Sequence, residues 1–309
     1  MNKIIAIQSD DIKKINIKTD TSVLLAKEAQ ARGYKIIWYE TKDLNFINSK
    51  VFVYGKEIKF FNNKIKFYKI IKDIKFDISK AKYILIRQNP PFDTNYINST
   101  YYLDILRTSK IINNPTSIRN VSEKFYSAKF IKYMPPTIFT KNFFEINNFF
   151  KNYKNIVIKP INGYAGKNIL FIKKKINKKS ILKYLKKFDH VMVQKYLPSI
   201  KYGDKRVFII NGKVRGAIKR IPKKGSNLAN ISQGGKACDT KLNKKELKIS
   251  KAIAKSLSKS KIFFAGIDLI NGFLIGDINV TSPTGLPQYK ELTGINLAKD
   301  FWNEAKKLK

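Results

Sequence analysis

The segment GIDLINGFLIGDINVTSP (266–283) carries three hard oxygen donors, Asp268, Asp277 and Asn279. Asp277 and Asn279 are two residues apart, so on an extended strand their side chains leave the same face. Asp268 precedes Asn271-Gly272, a dipeptide that suits a two-residue hairpin turn and folds one strand back antiparallel onto the next. Three oxygens then share one surface. Oxygen-only ligation suits Mg²⁺, which takes one or two carboxylates while substrate phosphates complete its octahedron. A hairpin with two polar residues on its solvent face and a capping Asp would show the same pattern.

Further upstream, Lys159 closes the apolar run IVIKP (156–160) and leads into a turn containing Gly163, Ala165 and Gly166. Small residues let backbone N–H groups approach phosphate oxygens, and the lysine adds a point charge beside them. The spacing is not GxxxxGK[ST], so this is no Walker loop, and an ordinary hairpin turn fits the turn taken alone. Covalent catalysis has little to draw on. The chain has one cysteine, Cys238, and one histidine, His190. His190 starts an apolar strand and reads as structural, and Cys238 reads as an unlinked thiol of a reducing compartment.

These residues need a scaffold, and hydrophobic periodicity supplies one of α/β type. Residues 1–120 read as a βαβ unit: strand 4–7, a helix capped by Asp20, Thr21 or Ser22 and stopped by Gly33, then strand 36–39. The alternating stretch 51–78 reads as inserted β-hairpins, and strand 83–87 ends in the rigid loop Gln88-Asn89-Pro90-Pro91. A loop at the carboxyl end of a parallel strand is a usual place for ligands. A connector helix is expected over 117–132, and strands over 156–160, 169–172 and 191–197. A hairpin turning at Asn211-Gly212, a mobile stretch from Pro222 to Asp239, and helices near 178–187, 244–259 and 295–307 complete the pattern.

The 309 residues include 62 Lys and Arg against 22 Asp and Glu, a formal net charge of +40. Such a charge suggests nucleic acid, but its makeup argues otherwise. Only seven of the basic residues are arginine, and lysine is spread evenly beside abundant Asn, Ile, Phe and Tyr. A dedicated nucleic-acid surface clusters its charge and favours Arg for bidentate contacts. No specific nucleic-acid partner is expected, and the scarce guanidiniums of Arg206 and Arg220 gain interest. No run approaches the roughly eighteen apolar residues of a membrane span. The apolar run at 4–7 is stopped by Asp10 and Asp11, too short for a signal-peptide core, so a cytoplasmic protein without a membrane partner is expected.

Taken in order, Lys124, Lys159 with its glycine-bearing turn, QKYL (194–197), GDKR (203–206), Arg220 and the trio Asp268, Asp277 and Asn279 resemble the ATP-grasp carboxylate–amine ligases. In detail the chain resembles the bacterial (prokaryotic-type) glutathione synthetase family over essentially its full length. RQNPPFDTNYI (87–97), NPTSIRNVSEK (114–124), VIKPINGYAG (157–166) and QKYLPSIKYGDKRV (194–207) carry the likeness, with KRIP (219–222) and GIDLINGFLIGDINVTSPTG (266–285).

The resemblance implies a Rossmann-like α/β domain (1–120) followed by a two-part ATP-grasp fold (121–202 and 203–309). It further implies ATP-dependent joining of γ-glutamylcysteine and glycine through an acyl phosphate. Lys124, Lys159, Gly163 and Gly166 would meet the phosphates, and Gln194, Lys195, Tyr196 and Leu197 the adenine. Asp204 would hold the ribose. Asp268, Asp277 and Asn279 would carry Mg²⁺, or Mn²⁺ in its place, and Arg206 and Arg220 would neutralise the transferring phosphoryl group and the oxyanion. Arg87 would meet a substrate carboxylate. Two mobile loops, about 161–168 and 223–238, would close over the site, the second bringing Asn230, Gly234 and Gly235 to the substrate; homo-oligomers are common in the family. The chain departs from the family pattern in four places: Asp277 for a glutamate, Leu228 for an arginine, Ala165 for a glycine, and LPQYKE (286–291) for a segment of the type IREIE that helps line the acceptor side. Another acyl donor or amine on the same scaffold is the alternative reading.

Overall fold

A computed structural model describes residues 3–61 and 67–308; part of the turn expected between the 51–78 strands falls outside them. The first sheet comes from β1 (Ile4–Gln8), α1 (Thr21–Ala31), β2 (Lys35–Tyr39), β3 (Leu44–Ile47), β4 (Lys50–Phe60), β5 (Tyr68–Asp77), β6 (Tyr83–Ile86), α2 (Thr94–Asp104), β7 (Lys110–Ile112) and α3 (Pro115–Asn120). Its order is β3-β4-β2-β1-β6-β7, with β5 paired to β4. β1 lies parallel to both β2 and β6, as expected for a βαβ unit. Helix α1 starts where Asp20 accepts the Val23 N–H at 3.0 Å.

The connector expected as one helix over 117–132 is broken. Helix α3 ends at Asn120, Val121 leaves helical geometry (φ −106°, ψ 81°), and a 3-10 segment resumes at Phe125–Tyr133. The reason lies in a strand far along the chain: the Glu123 carbonyl accepts the Ile278 N–H at 2.9 Å, so it is taken from any intrahelical bond. Lys124 therefore stands at the entry of the 3-10 segment and not on a continuous helix.

The second sheet contains β8 (Thr137–Thr140), β9 (Ile156–Pro160), β10 (Leu170–Ile172) and β11 (Val191–Lys195), in the order β10-β9-β11-β8, with helices α4 (Phe143–Tyr153) and α5 (Lys178–Phe188) between them in sequence. Ile156, Ile158, Val191 and Val193 pack with Ile146, Phe149 and Ile181 of the helices. Strand alternation turns Val157, Lys159 and Gln194 to the opposite face.

The third sheet is antiparallel, in the order β14-β13-β12-β15-β16: β12 (Asp204–Ile210), β13 (Lys213–Ile221), β14 (Lys236–Asp239), β15 (Phe264–Ile270) and β16 (Phe273–Asn279). Both hairpins turn at Asn-Gly, with φ of 48° and 69° at Asn211 and Gly212 and 47° and 72° at Asn271 and Gly272. These are the left-handed pairs that match strand twist. The stretch expected to be mobile up to Asp239 is shorter, because its last four residues pair with β13 as β14. Helices α6 (Lys244–Lys259), α7 (Leu286–Thr293) and α8 (Leu297–Ala305) complete the chain. Trp302 of α8 packs against Tyr34 and Tyr83 of the first unit.

A buried asparagine ties the end of the first sheet to the third. Asn113 donates to the carbonyls of Phe264 and Val280, both at 2.7 Å, and accepts the N–H groups of Phe263 and Phe264 at 2.9 and 2.7 Å. Removing it orphans buried backbone groups on both β15 and the end of β16. Asn113→Ala should therefore lower unfolding stability by about 3 kcal/mol, read as a drop in denaturant midpoint; an unchanged midpoint would show that water replaces the amide at no cost.

Candidate active site

Between the second and third sheets lies a cleft of ≈ 890 Å³. Strand alternation on β9 and β11 aims Val157, Lys159 and Gln194 into it, and the opposite wall is built from the third sheet. Four acidic residues, Glu123, Asp204, Asp268 and Asp277, share its wall with Lys124, Lys159, Lys167, Lys195 and Arg220.

The third sheet carries a ladder of alternating charge across three strands. Asp204 on β12 stands opposite Arg220 on β13, and Arg206, two residues along β12, stands opposite Asp268 on β15. Arg220 grips Asp204 with two hydrogen bonds of 2.8 and 2.6 Å, and Arg206 grips Asp268 with two of 2.5 and 2.9 Å. A further contact of 3.0 Å ties Arg220 to Asp268. All four are buried. Burial pushes the Asp268 carboxyl up, but Arg206 and Arg220 outweigh it and hold the group well below the usual carboxylate range. Burial raises the Asp204 carboxyl against the pull of Arg220.

The next element over, β16, has a bulge. Ile267 pairs with Ile278 and Leu269 with Leu274, so Ile275, Gly276 and Asp277 all face the single residue Asp268. Gly276 sits at φ +89°, and a Cβ there would come within 2.6 Å of Met192 on the second sheet. The bulge re-aims Asp277 into the cleft. There its two oxygens lie 3.4 Å from Lys124 Nζ and 3.5 Å from Lys159 Nζ. Lys159 also donates to the Ile275 carbonyl at 2.7 Å, and Lys124 donates to the Gly163 carbonyl. Burial pulls Lys159 below the ordinary lysine range, with Asp277 opposing and Lys124 adding to the fall. Asp277 is held low, because the two lysines outweigh its burial.

Two loops roof the cleft, 161–169 between β9 and β10 and 222–235 between β13 and β14. They touch: Gln233 donates to the Ala165 carbonyl at 3.2 Å. Tyr196, at the end of β11, reaches Asn227 in the second loop at 2.8 Å. Part of the wall is apolar, where Ile200, Ala229, Ile270 and Ile275 cluster with Tyr196 and Leu197. One cleft thus offers an apolar surface for a flat ring and a cationic surface for phosphate.

Most of the residues expected at the site line this cleft: Lys124, Lys159, Gly163, Gly166, Gln194, Lys195, Tyr196, Leu197, Asp204, Arg220, Asn230, Asp268, Asp277 and Asn279. Lys195 contributes backbone, since its ammonium lies over the Tyr153 ring at 5.7 Å. Asp204 is at the wall, with each of its oxygens accepting one hydrogen bond from Arg220.

Four expected residues lie off the cleft wall. Arg206 stands behind Asp268 with its guanidinium committed to it. Arg87 is buried at the seam with the third unit, bonded to Ser22 at 3.1 Å and the Pro283 carbonyl at 2.8 Å, and burial pulls it down to about 10. It holds the 281–286 loop against the first unit, where Thr21 also accepts the Gly285 and Leu286 N–H groups. Gly234 is exposed. Gly235 is glycine because a Cβ would come within 2.2 Å of the Ala229 carbonyl oxygen. The departing segment LPQYKE lies wholly in α7, where Leu286 and Tyr289 are buried, and none of its residues lines the cleft.

The donor set fits a hard divalent cation. Asp268, Asp277 and Asn279 all line one cavity, where Asp268 is bonded through both oxygens to Arg206 and Arg220 and Asp277 faces Lys124 and Lys159. Such a set suits a cation that takes few protein carboxylates and shares phosphate oxygens. Sequence reasoning passed over Glu123, which lines this cleft and also a second cavity of ≈ 410 Å³ walled by Pro90, Phe92, Ile118, Val121 and Tyr164. Its only signal was its place just before Lys124.

Family models for the prokaryotic glutathione synthetase N-terminal domain and its ATP-grasp domain match residues 4–119 and 123–294. The chain is 40% identical to the glutathione synthetase of Buchnera aphidicola subsp. Baizongia pistaciae, over 94% of this chain and 91% of that protein. It is 33% identical to the glutathione synthetase of Mesorhizobium japonicum, over 97% and 96%. Among solved structures it is similar to D-cycloserine synthetase DcsG, with a TM-score of 0.69 at 13% identity over 99% of this chain and 100% of that one. The ATP-grasp ligase PsnB in complex with a minimal precursor gives 0.61 at 13% identity, over 99% and 98%. At such identity these two bear on the fold alone, an N-terminal α/β unit followed by a two-part ATP-grasp fold.

Because the folded Asp268 pKa lies below its unfolded value of ~4, its contribution to stability is complete above that pH and is lost as pH falls through the folded value. Asp268→Asn leaves two buried guanidiniums short of a partner, so it should cost about 3–5 kcal/mol at neutral pH. The gap from the parent should narrow as pH falls below ~4; a constant gap down to pH ~2 would deny Asp268 a depressed pKa.

Proposed function

The chain belongs to the prokaryotic glutathione synthetase family, and from that premise we infer that its cleft joins γ-glutamylcysteine to glycine with hydrolysis of ATP. It is an ATP-dependent carboxylate–amine ligase. The observation that carries the reading is the meeting of Lys124 and Lys159 with Asp277 in one cleft, 3.4 and 3.5 Å apart, beside Asp268 and Arg220.

The order of events follows from charge. With no phosphate between them, the two lysines are compensated by Asp277. Phosphate oxygens entering there would supply the same compensation and release the carboxylate for a cation. Asp268, Asp277 and Asn279 would hold that cation, Mg²⁺ by its preference for oxygen donors, which when bound screens the phosphate charge. The apolar wall at Ile200, Ile270 and Leu197 would take the adenine, with the β11 backbone at Gln194–Leu197 along its edge. The cysteinyl carboxylate of γ-glutamylcysteine attacks the γ-phosphorus, the bond to ADP breaks, and an acyl phosphate forms. The glycine amine then attacks the acyl carbon and inorganic phosphate leaves. Catalysis of this kind is positioning plus electrostatics.

Arg220 is the guanidinium at the cleft wall, so it is assigned to the transferring phosphoryl group and the oxyanion of the tetrahedral intermediate. Arg206 supports it through Asp268, and Asp204 fixes its fork. The second cavity adjoins the first at Glu123, Gly163 and Tyr164, and is assigned to the acyl donor. Contact between the two roofing loops supports their role in excluding water from the acyl phosphate. Residues 1–120, 121–202 and 203–309 are taken as the working units. No helix among the described residues is long and apolar enough to cross a membrane, and Cys238 is unlinked; a cytoplasmic setting agrees with both and with a thiol substrate.

Purified protein with Mg·ATP and γ-glutamylcysteine should release ADP in a glycine-dependent manner and yield glutathione by mass; ADP release that ignores glycine would sink the reading. Arg220→Ala should lower kcat by about 10²–10³-fold, the loss typical of one oxyanion donor, while Mg·ATP still binds; unchanged turnover would remove Arg220 from the mechanism.

A further inference from the structure

We infer that Glu123 is a positioning residue that sets the strand bearing Asp277 and Asn279 against the phosphate-facing lysine next to it in the chain. Its carbonyl accepts the Ile278 N–H at 2.9 Å. One oxygen of its side chain accepts the Val280 N–H at 2.8 Å, the Thr281 N–H at 3.0 Å and the Thr281 hydroxyl at 2.8 Å. Together these bonds grip the backbone on both sides of Asn279. Lys124 follows directly, and its ammonium lies 3.4 Å from Asp277. A single residue therefore couples two halves of the site that come from opposite ends of the ATP-grasp portion.

The physical need is clear from the strand itself. β16 is an edge strand with a bulge at Ile275–Asp277 and ends at Asn279, so the ladder to β15 does not hold residues 280 and 281. Their N–H groups would otherwise be free, and the oxygens of Asp277 and Asn279 would share that freedom. A carboxylate accepting backbone N–H bonds is a strong anchor, and outer groups that orient ligands commonly change metal affinity by about 10–100-fold.

The inference rests on the assignment of Asp277 and Asn279 to a cation, and its test reads binding as well as turnover. Amide hydrogen exchange across 278–281, Mn²⁺ binding by electron paramagnetic resonance in the presence of ADP, and ligase kcat/KM are measured for the parent, Glu123→Ala and Glu123→Gln. Glu123→Ala should lose protection at Val280 and Thr281 and bind Mn²⁺·ADP about tenfold more weakly or worse. Glu123→Gln keeps an oxygen acceptor and should recover most of both. Parental Mn²⁺·ADP affinity in Glu123→Ala overturns the inference. So does equal impairment of the two variants with amide protection intact, which would make the role one of charge. If Glu123→Ala does not fold, Glu123→Asp decides by the same affinity reading: weakened binding supports the role and parental binding overturns it. Absence of ligase turnover in the parent would count against the proposed function and leave the Mn²⁺·ADP comparison able to decide this one.

Discussion

A carboxylate buried between two guanidiniums organises this molecule. Asp268 sits among groups that exclude water, where an unpaired charge would cost several kcal/mol, so Arg206 and Arg220 must stand where they do. Arg220 in turn needs Asp204. The result is a ladder of two acids and two bases across β13, β12 and β15, neutral as a whole, with one guanidinium left at the cleft wall. Its rigidity comes from bidentate geometry that lysine could not supply.

The same logic governs the other wall. Lys124 and Lys159 are too buried to stand alone, and the partly exposed Asp277 compensates them both. Under the proposed function this wall takes in phosphates and a cation, and compensation among these groups keeps it stable without them. The bulge that admits Asp277 depends on Gly276, whose φ of +89° disfavours any side chain and whose close approach to the second sheet brings it against Met192. The cleft therefore depends on contact between the second and third sheets as much as on either alone.

Charge elsewhere in the chain has a different meaning. Lysine covers the surface, whereas five of the seven arginines are ion-paired: Arg32 with Glu28, Arg119 with Asp104, Arg206 with Asp268, Arg215 with Glu304 and Arg220 with Asp204. Arg87 is bonded to Ser22 and to the 281–286 loop. The guanidinium is retained where a fork is needed, which agrees with composition, and not a nucleic-acid surface, as the source of the net charge. The segment that departs most from the family pattern, LPQYKE, is answered by packing: Tyr289 lies edge-on to Phe208 at 5.7 Å.

Local chemistry was enough to place many of the strands, though not β3, β7, β8 or β14, together with both Asn-Gly turns, the Asp20-capped helix and the meeting of Asp268, Asp277 and Asn279 at one cleft, because alternation and turn propensity act over a few residues. Motif order was enough for the family. What no stretch of sequence could decide is which charged groups a residue spends itself on. Asp204, Arg206 and Arg87 carry the right chemistry for ligands, yet the fold engages them with Arg220, Asp268 and the 281–286 loop. The break at Val121–Lys124 and the grip of Glu123 on Val280 and Thr281 depend on a strand more than 150 residues away. Hydrogen-bond partners and charge compensation are settled by neighbours in space, and only the folded chain determines who those neighbours are.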